Sequence, residues 1–268
     1  MKGNSSKNIK AAITAVGGFV PNDFISNQDL EKVLDTTDEW ITTRTGIKKR
    51  RILKGEGKGT SYLAIKAAED IITKRNIDPN TIDLVIVATI TPDYKGAATA
   101  PSVASAIKAN NAYAFDLSAA CSGFLYGMST ATSYIESGRY KKVLLIGADK
   151  MSSVVDYTRR ETSILFGDGA GAVLVEPSKN EFGWEDEYLR SDGIGAEWLM
   201  VKGGGSMYPM TQAALDSGWH YITQDGKTVF KAAVSEMASA TEEIVNRNNL
   251  NPEAVSYTHL TLPTNREV

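Results

Sequence analysis

Short apolar runs alternate along this chain with segments of helical periodicity. The apolar runs fall at residues 9–16, 84–88, 112–117, 143–146 and 172–175, and helical spacing is found near residues 59–74, 101–108 and 124–137. Apolar runs of this length between amphipathic helices are typical of strands that are buried on both faces. The alternation therefore predicts an α/β layered fold with a mostly parallel sheet.

One helix and the turn after it recur at an offset of 173 residues. Apolar positions near residues 64–72 correspond to those near 237–245, and Asn76 and Pro79 correspond to Asn249 and Pro252. A repeated unit of this kind predicts a duplicated fold with a pseudo-two-fold axis.

The two copies of the repeat differ after residue 255. The first copy continues into the buried run at residues 84–88, whereas residues 256–268 read like translated adapter or out-of-frame DNA. We expect residues 1–178 to form a first half, which carries the candidate nucleophile Cys121 discussed below, and residues 179–255 to begin a second half. Residues 256–268 are then a non-native tail on a C-terminally truncated chain.

The net charge, the lengths of the apolar runs and the few cysteine and histidine residues argue against several classes of function. The net charge of −3 gives no global basic field, so nucleic acid and membrane surfaces are not expected partners. No apolar run approaches the length of a membrane span, and a single cysteine suits a reducing cytoplasm. Only two histidines are present and no Cys/His cluster, so no metal site is expected.

The single cysteine, Cys121, lies between a predicted strand and a predicted helix. Small residues surround it at positions 118–123, which leaves room for a substrate. If Cys121 lies in the first turn of the helix, unpaired backbone N–H groups and the helix dipole favour its thiolate. The alternative is a buried cysteine that only fills space. Local context alone leaves both interpretations open.

Four segments carry a resemblance to a known family. They are DLSAACSGF at 116–124, TTDEWI with RTGI at 36–47, FGDGAGA at 166–172 and VFK at 229–231. These segments resemble β-ketoacyl-acyl-carrier-protein synthase III, a family of condensing enzymes in fatty-acid synthesis. The resemblance implies a thiolase-like duplicated βαβαβ fold in five layers, with the second half incomplete in this chain.

The resemblance implies a chemistry for Cys121. As the family's nucleophile, it would take an acyl group from acyl-coenzyme A, and malonyl-acyl-carrier protein would then condense with that group after losing carbon dioxide. Acyl-coenzyme A is a substrate, so no cofactor is implied. The full-length protein is expected to be a homodimer.

The resemblance also implies a coenzyme A site. Trp40 and Arg160 would sandwich the adenine, Thr36 would form a hydrogen bond with it, and Arg44 would hold phosphate. Indole and guanidinium planes stack on bases, and arginine binds phosphate through two N–H groups. The alternatives are a half-buried surface aromatic for Trp40 and a solvated charge for Arg44.

Gly96 and Phe230 are implied to lie at the acyl pocket and its entrance. Gly96 stands where the family often has a bulky aromatic residue, so the pocket would accept a longer or branched acyl group. The alternative is that Gly96 only permits a sharper loop and that Tyr94 fills the gap.

Two catalytic partners of the family have no counterpart here. The family places a histidine in a His-Gln-Ala-Asn motif and an asparagine further on, and neither motif is present. His259 lies about two residues early and receives no role. This chain is therefore expected to be inactive in condensation. Other interpretations are an inert or coenzyme A-binding fragment, and a sister condensing enzyme of secondary metabolism.

Two further segments have structural and functional interpretations. The basic run at residues 48–51 predicts a solvated face, or a surface that attracts the acidic carrier protein or coenzyme A phosphates. Residues 167–169, Gly-Asp-Gly, predict a hairpin turn whose glycines allow tight backbone packing.

Overall fold

The computed structural model describes residues 9–254 of the chain. They divide into two compact units. The first contains the described residues up to Pro21 together with Leu53–Lys150 and Asp168–Glu185. The second contains Asn22–Ile52, Met151–Gly167 and the described residues from Asp186 onward.

Strands and helices alternate through both units. The strands are β1 (Ala11–Phe19), β2 (Phe24–Ser26), β3 (Lys49–Arg51), β4 (Leu84–Ala88), β5 (Tyr113–Leu117), β6 (Val143–Lys150), β7 (Asp168–Pro177), β8 (Leu199–Val201) and β9 (Ile222–Gln224). The α-helices are α1 (Asn27–Glu31), α2 (Asp38–Thr45), α3 (Thr60–Arg75), α4 (Thr99–Ala106), α5 (Gly123–Glu136), α6 (Arg160–Ser163), α7 (Gln212–Asp216) and α8 (Gly226–Arg247).

The first unit is built on one sheet with the strand order β1-β7-β6-β4-β5. Strand β4 runs parallel to β5 and β6, whereas β7 runs antiparallel to both β6 and β1. The expectation of a mostly parallel sheet is confirmed for β1, β4, β5 and β6, which run in one direction, and is wrong for β7, which runs against them. The chain leaves β6 and returns at the same edge, with Lys150 opposite Asp168, so β7 runs back along its neighbour instead of following a crossover helix.

Helices cover both faces of this sheet. Val85 and Val87 of β4 point into a core with α3 and α4, and Leu84 and Ile86 point into a second core with α5. Because successive strand residues alternate between faces, a strand that is covered twice must be apolar throughout. This explains the uninterrupted apolar run from which β4 was predicted.

The Gly-Asp-Gly segment does not form the predicted hairpin turn. Asp168 is the first residue of β7, and its carboxylate accepts a hydrogen bond from the backbone N–H of Leu53 at 2.7 Å. The prediction of tight packing is confirmed at Gly167, where a Cβ atom would lie 3.1 Å from the backbone N of Arg51.

The local repeat is confirmed in the backbone. Asn76 and Asn249 both adopt left-handed conformations, with φ of 48° and 51°, and each is followed by a 3₁₀ turn, at Pro79–Thr81 and Pro252–Ala254. The extent of the two halves stays a prediction. Residues 256–268, including His259 and the predicted tail, lie outside the described residues.

The second unit contains the antiparallel pairs β2-β3 and β8-β9. Its longest helix, α8, buries none of its residues within the described structure, and Phe230 and Val234 are exposed on it. Among residues 9–254, no helix combines the length and apolar character needed to cross a membrane.

Candidate active site

Cys121 lies on a short turn between a strand and a helix of the first unit. Strand β5 ends at Leu117, a 3₁₀ turn spans Ala120–Ser122, and α5 begins at Gly123. The thiol therefore precedes α5, one turn earlier than predicted, and Cys121 is solvent-exposed. Ala120 adopts a left-handed φ of 47°, which is uncommon and strained for a residue with a side chain other than Asn or Asp.

A polar network lies at the same edge of the sheet, after the carboxyl ends of β4 and β6. Asp149 of β6 accepts hydrogen bonds from Thr89 Oγ1 (2.9 Å), the Ile90 N–H (2.9 Å), the Thr91 N–H (3.2 Å) and Thr91 Oγ1 (2.9 Å). The Thr89 N–H in turn donates to the carbonyl of Leu117 at the end of β5. The network thus joins the carboxyl ends of the three parallel strands β4, β5 and β6.

The surroundings of Cys121 raise the pKa of its thiol. Desolvation by the surrounding protein atoms is the larger cause and the negative charge of Asp149 the second, while a backbone N–H of Cys121 opposes them. Desolvation also raises the pKa of Asp149 itself, against the hydrogen bonds from Ile90, Thr89 and Thr91. The thiol lies before α5, so it does not occupy the first-turn position from which the helix terminus was expected to favour the thiolate.

The predicted coenzyme A residues of the second unit lie close together. Helix α2 begins after Thr37, whose Oγ1 accepts the Trp40 N–H at 3.0 Å, and this cap fixes the turn that carries the indole. The guanidinium carbons of Arg44 and Arg160 lie 4.9 and 5.0 Å from the centre of the Trp40 ring. We call Trp40, Arg44 and Arg160 the Trp40 clamp.

Two features beside the Trp40 clamp suit a ligand. Thr36 Oγ1 is buried and has no hydrogen-bond partner within residues 9–254. Arg160 Nη1 donates to the Asp35 carbonyl at 3.0 Å, which orients its guanidinium toward Trp40. A buried hydroxyl without a partner is costly, so Thr36 has an unused capacity to bind a polar group.

The two residues predicted for the acyl pocket lie in different units. Gly96 belongs to the segment between β4 and α4, has a left-handed φ of 87°, and would place a Cβ atom in open space. Tyr94 is 72% exposed, so it does not fill a gap beside Gly96. Because its φ requires glycine, the backbone supports the interpretation that Gly96 shapes the loop. Phe230 lies exposed on α8.

Asp149 and Arg50 were not predicted from the sequence as parts of these sites. Arg50 was interpreted as part of a solvated or partner-binding basic run, but it is 2% exposed, so both interpretations are wrong for this residue. Strand alternation is the signal that could have found it, because Lys49 is exposed and Arg51 half-buried on either side of it.

Comparisons with known proteins agree with this fold. A family model described as 3-oxoacyl-(acyl-carrier-protein) synthase III matches residues 115–193, which contain Cys121 and Arg160. β-Ketoacyl-acyl-carrier-protein synthase III of Chlorobium chlorochromatii is 55% identical and that of Chlorobaculum tepidum 53% identical, each over 93% of this chain and 76% of the relative. The crystal structure of 3-oxoacyl-acyl-carrier-protein synthase III from Aquifex aeolicus is 40% identical, with a TM-score of 0.78 over 92% of this chain and 74% of that one.

The fold is that of a thiolase-like condensing enzyme. Within that class, the chain belongs to the β-ketoacyl-acyl-carrier-protein synthase III family.

Proposed function

We propose that this protein starts fatty-acid synthesis by condensing an acyl-coenzyme A with malonyl-acyl-carrier protein, and that Cys121 carries the acyl group between the two. The main support is Cys121 itself, solvent-exposed on a strained turn at the carboxyl edge of the sheet. The relatives that are about half identical to the chain are named for this condensation.

The first half-reaction is acyl transfer. The Cys121 sulfur attacks the thioester carbonyl, the bond from that carbonyl to the coenzyme A sulfur breaks, and coenzyme A leaves as its thiol with the proton that Cys121 gives up. Because desolvation and Asp149 raise the pKa of Cys121, we expect acylation to accelerate as the pH rises toward that pKa.

The Trp40 clamp is proposed to hold the adenine end of coenzyme A. Adenine would stack between the Trp40 ring and the Arg160 guanidinium, with Arg44 on a phosphate and Thr36 Oγ1 on a polar atom of the base. The close approach of both guanidinium groups to the ring and the unpartnered Thr36 hydroxyl support these roles. Gly96 and Phe230 are proposed for the acyl pocket and its entrance.

The second half-reaction forms the carbon–carbon bond. Malonyl-acyl-carrier protein loses carbon dioxide, the resulting carbanion attacks the Cys121 thioester, and the Cys121 sulfur leaves. The resemblance assigns charge stabilisation in this step to a histidine and an asparagine whose motifs this sequence lacks. We therefore expect this chain to complete acyl transfer without condensation.

A homodimer in the cytoplasm is the proposed assembly and location. Strand β5 is an edge of the five-stranded sheet in the described structure, and Tyr113 on it is 54% exposed. An unpaired apolar edge strand is a template for pairing with another chain, and a second copy offers the same edge.

The half-reactions can be measured separately. Acetyl-coenzyme A is added alone or with malonyl-acyl-carrier protein, and free coenzyme A and 3-oxoacyl-carrier protein are quantified by mass spectrometry, with Cys121→Ser as the control. We expect release of coenzyme A to be limited to one equivalent per chain and absent in the variant. Equal release of coenzyme A by the wild type and by Cys121→Ser would contradict the proposed function. Formation of 3-oxoacyl-carrier protein would contradict the expectation that this chain completes acyl transfer without condensation.

A further inference from the structure

Arg50 is a buried cation whose partners are neutral groups on two different segments of the second unit. Its Nε and Nη2 donate to the carbonyl of Ile164 at 2.8 and 2.6 Å, and its Nη1 donates to Asn27 Oδ1. Burial is the main cause that lowers the pKa of Arg50 to about 10, so the guanidinium is still charged at neutral pH.

On one side, these contacts lead to the helix that carries Trp40. Asn27 Nδ2 donates to Asp38 Oδ1 at 2.6 Å, to Thr42 Oγ1 at 3.2 Å and to the Ile47 carbonyl at 2.9 Å. Asp38 is the first residue of α2 and Thr42 lies one turn further along it. Arg50 therefore orients the amide that fixes the first turn of α2.

On the other side, the contacts lead to the helix that carries Arg160. Ile164 is the residue that ends α6, a single turn that begins at Arg160. Its carbonyl receives two of the Arg50 N–H groups. A helix of one turn has little stability of its own, so its position depends on contacts such as this one.

We propose that Arg50 is a positioning residue that holds α2 and α6 at the separation at which Trp40 and Arg160 can clamp adenine. This inference rests on the proposed coenzyme A site. Arginine suits the task because its planar fork presents five N–H donors in fixed directions, so one side chain can join two segments. A lysine in the same place has one nitrogen and cannot hold both partners in the same geometry.

The proposal predicts a selective effect on ligands. Misplacing one side of the Trp40 clamp weakens the binding of coenzyme A and of adenosine 3′,5′-bisphosphate, its nucleotide end. Alkylation of Cys121, which lies in the first unit, keeps its rate. A general loss of folding would change both.

The test compares Arg50→Met, Arg50→Lys and Asn27→Ala in the full chain. Arg51→Met is the matched control, because Arg51 is the next residue of the same strand and its Nη1 donates at 3.2 Å to the carbonyl of Asn22, a residue of neither α2 nor α6. Binding of adenosine 3′,5′-bisphosphate and of coenzyme A is measured by calorimetry. Cys121 alkylation by iodoacetamide and thermal unfolding are recorded in parallel.

We expect Arg50→Met to weaken the binding of both ligands about tenfold or more, because a small displacement of a binding group greatly reduces affinity. Arg50→Lys and Asn27→Ala should lose affinity to a smaller extent, and Arg51→Met should bind as the wild type does. If Arg50→Met does not fold, the two milder variants decide the question.

Unchanged affinity in folded Arg50→Met, or in both milder variants, would overturn the positioning role. An equal loss in Arg51→Met would also overturn it, since positive charge alone would then explain the effect. If the wild type binds neither ligand, the proposed coenzyme A site is wrong and this inference is wrong with it. Binding that is lost in Trp40→Ala but kept in the Arg50 variants rejects the inference alone.

Discussion

Replacing Trp40 by alanine should weaken the binding of coenzyme A, and the geometry of the Trp40 clamp sets limits on the loss of affinity. The guanidinium carbon of Arg160 lies 5.0 Å from the Trp40 ring centre. A base stacked between two planes needs two spacings of about 3.5 Å, so the gap must open by about 2 Å when adenine enters. Opening it exchanges a cation–π contact worth about 0.5–1 kcal/mol for base stacking worth about 1–3 kcal/mol.

Trp40→Ala loses the stacking but no longer has the cation–π contact to break. The net cost is therefore about 0.5–2 kcal/mol, which is about a 2- to 30-fold increase in Kd. Calorimetry with adenosine 3′,5′-bisphosphate measures this loss, and Trp40→Phe, which keeps an aromatic face, should recover part of it. Unchanged affinity in Trp40→Ala, or an equal loss in binding of pantetheine, which has no adenine, would refute the stacking argument.

Three further predictions concern the first unit. Asp149→Asn removes a charge that raises the pKa of Cys121, so the pH profile of iodoacetamide alkylation should shift to lower pH, and an unchanged profile would show that this charge does not act on the thiol. Gly96→Ala must place a side chain at a φ of 87° and should lower the free energy of unfolding by about 1–2 kcal/mol, measured by urea denaturation; an unchanged midpoint would mean that the loop relaxes. Leu144→Ala empties a fully buried position in the central strand β6 and should cost about 2–5 kcal/mol in the same assay, whereas exposed Leu125→Ala should cost far less.

The sequence predicted those parts of the fold that depend on local pattern. Strand β4 has the predicted bounds, because a run that is apolar at every position is buried on both faces wherever it lies. The direction of β7 was not predictable in this way. It depends on the path of residues 151–167, which belong to the other unit and carry no periodicity that reveals where the chain returns.

The site shows the same division. The small residues around Cys121 predicted the turn between β5 and α5, but not the sign of the thiol pKa shift, which depends on Asp149 from a different strand. Arg50 was misread because a run of basic residues looks solvated, while the pleat of β3 turns one of them inward. The interaction of Asp149 with Cys121 joins residues that are far apart in sequence, so it leaves no local signal.

The acyl group on Cys121 is the most direct test of the central claim. The chain is incubated with acetyl-coenzyme A, digested at low pH to preserve thioesters, and its peptides are analysed by mass spectrometry beside Cys121→Ala. The account predicts one acetyl group per chain, located on the peptide that contains Cys121 and removed by hydroxylamine. An acetyl group elsewhere, the same acetylation in Cys121→Ala, or no acetylation of a folded chain that binds coenzyme A would contradict it.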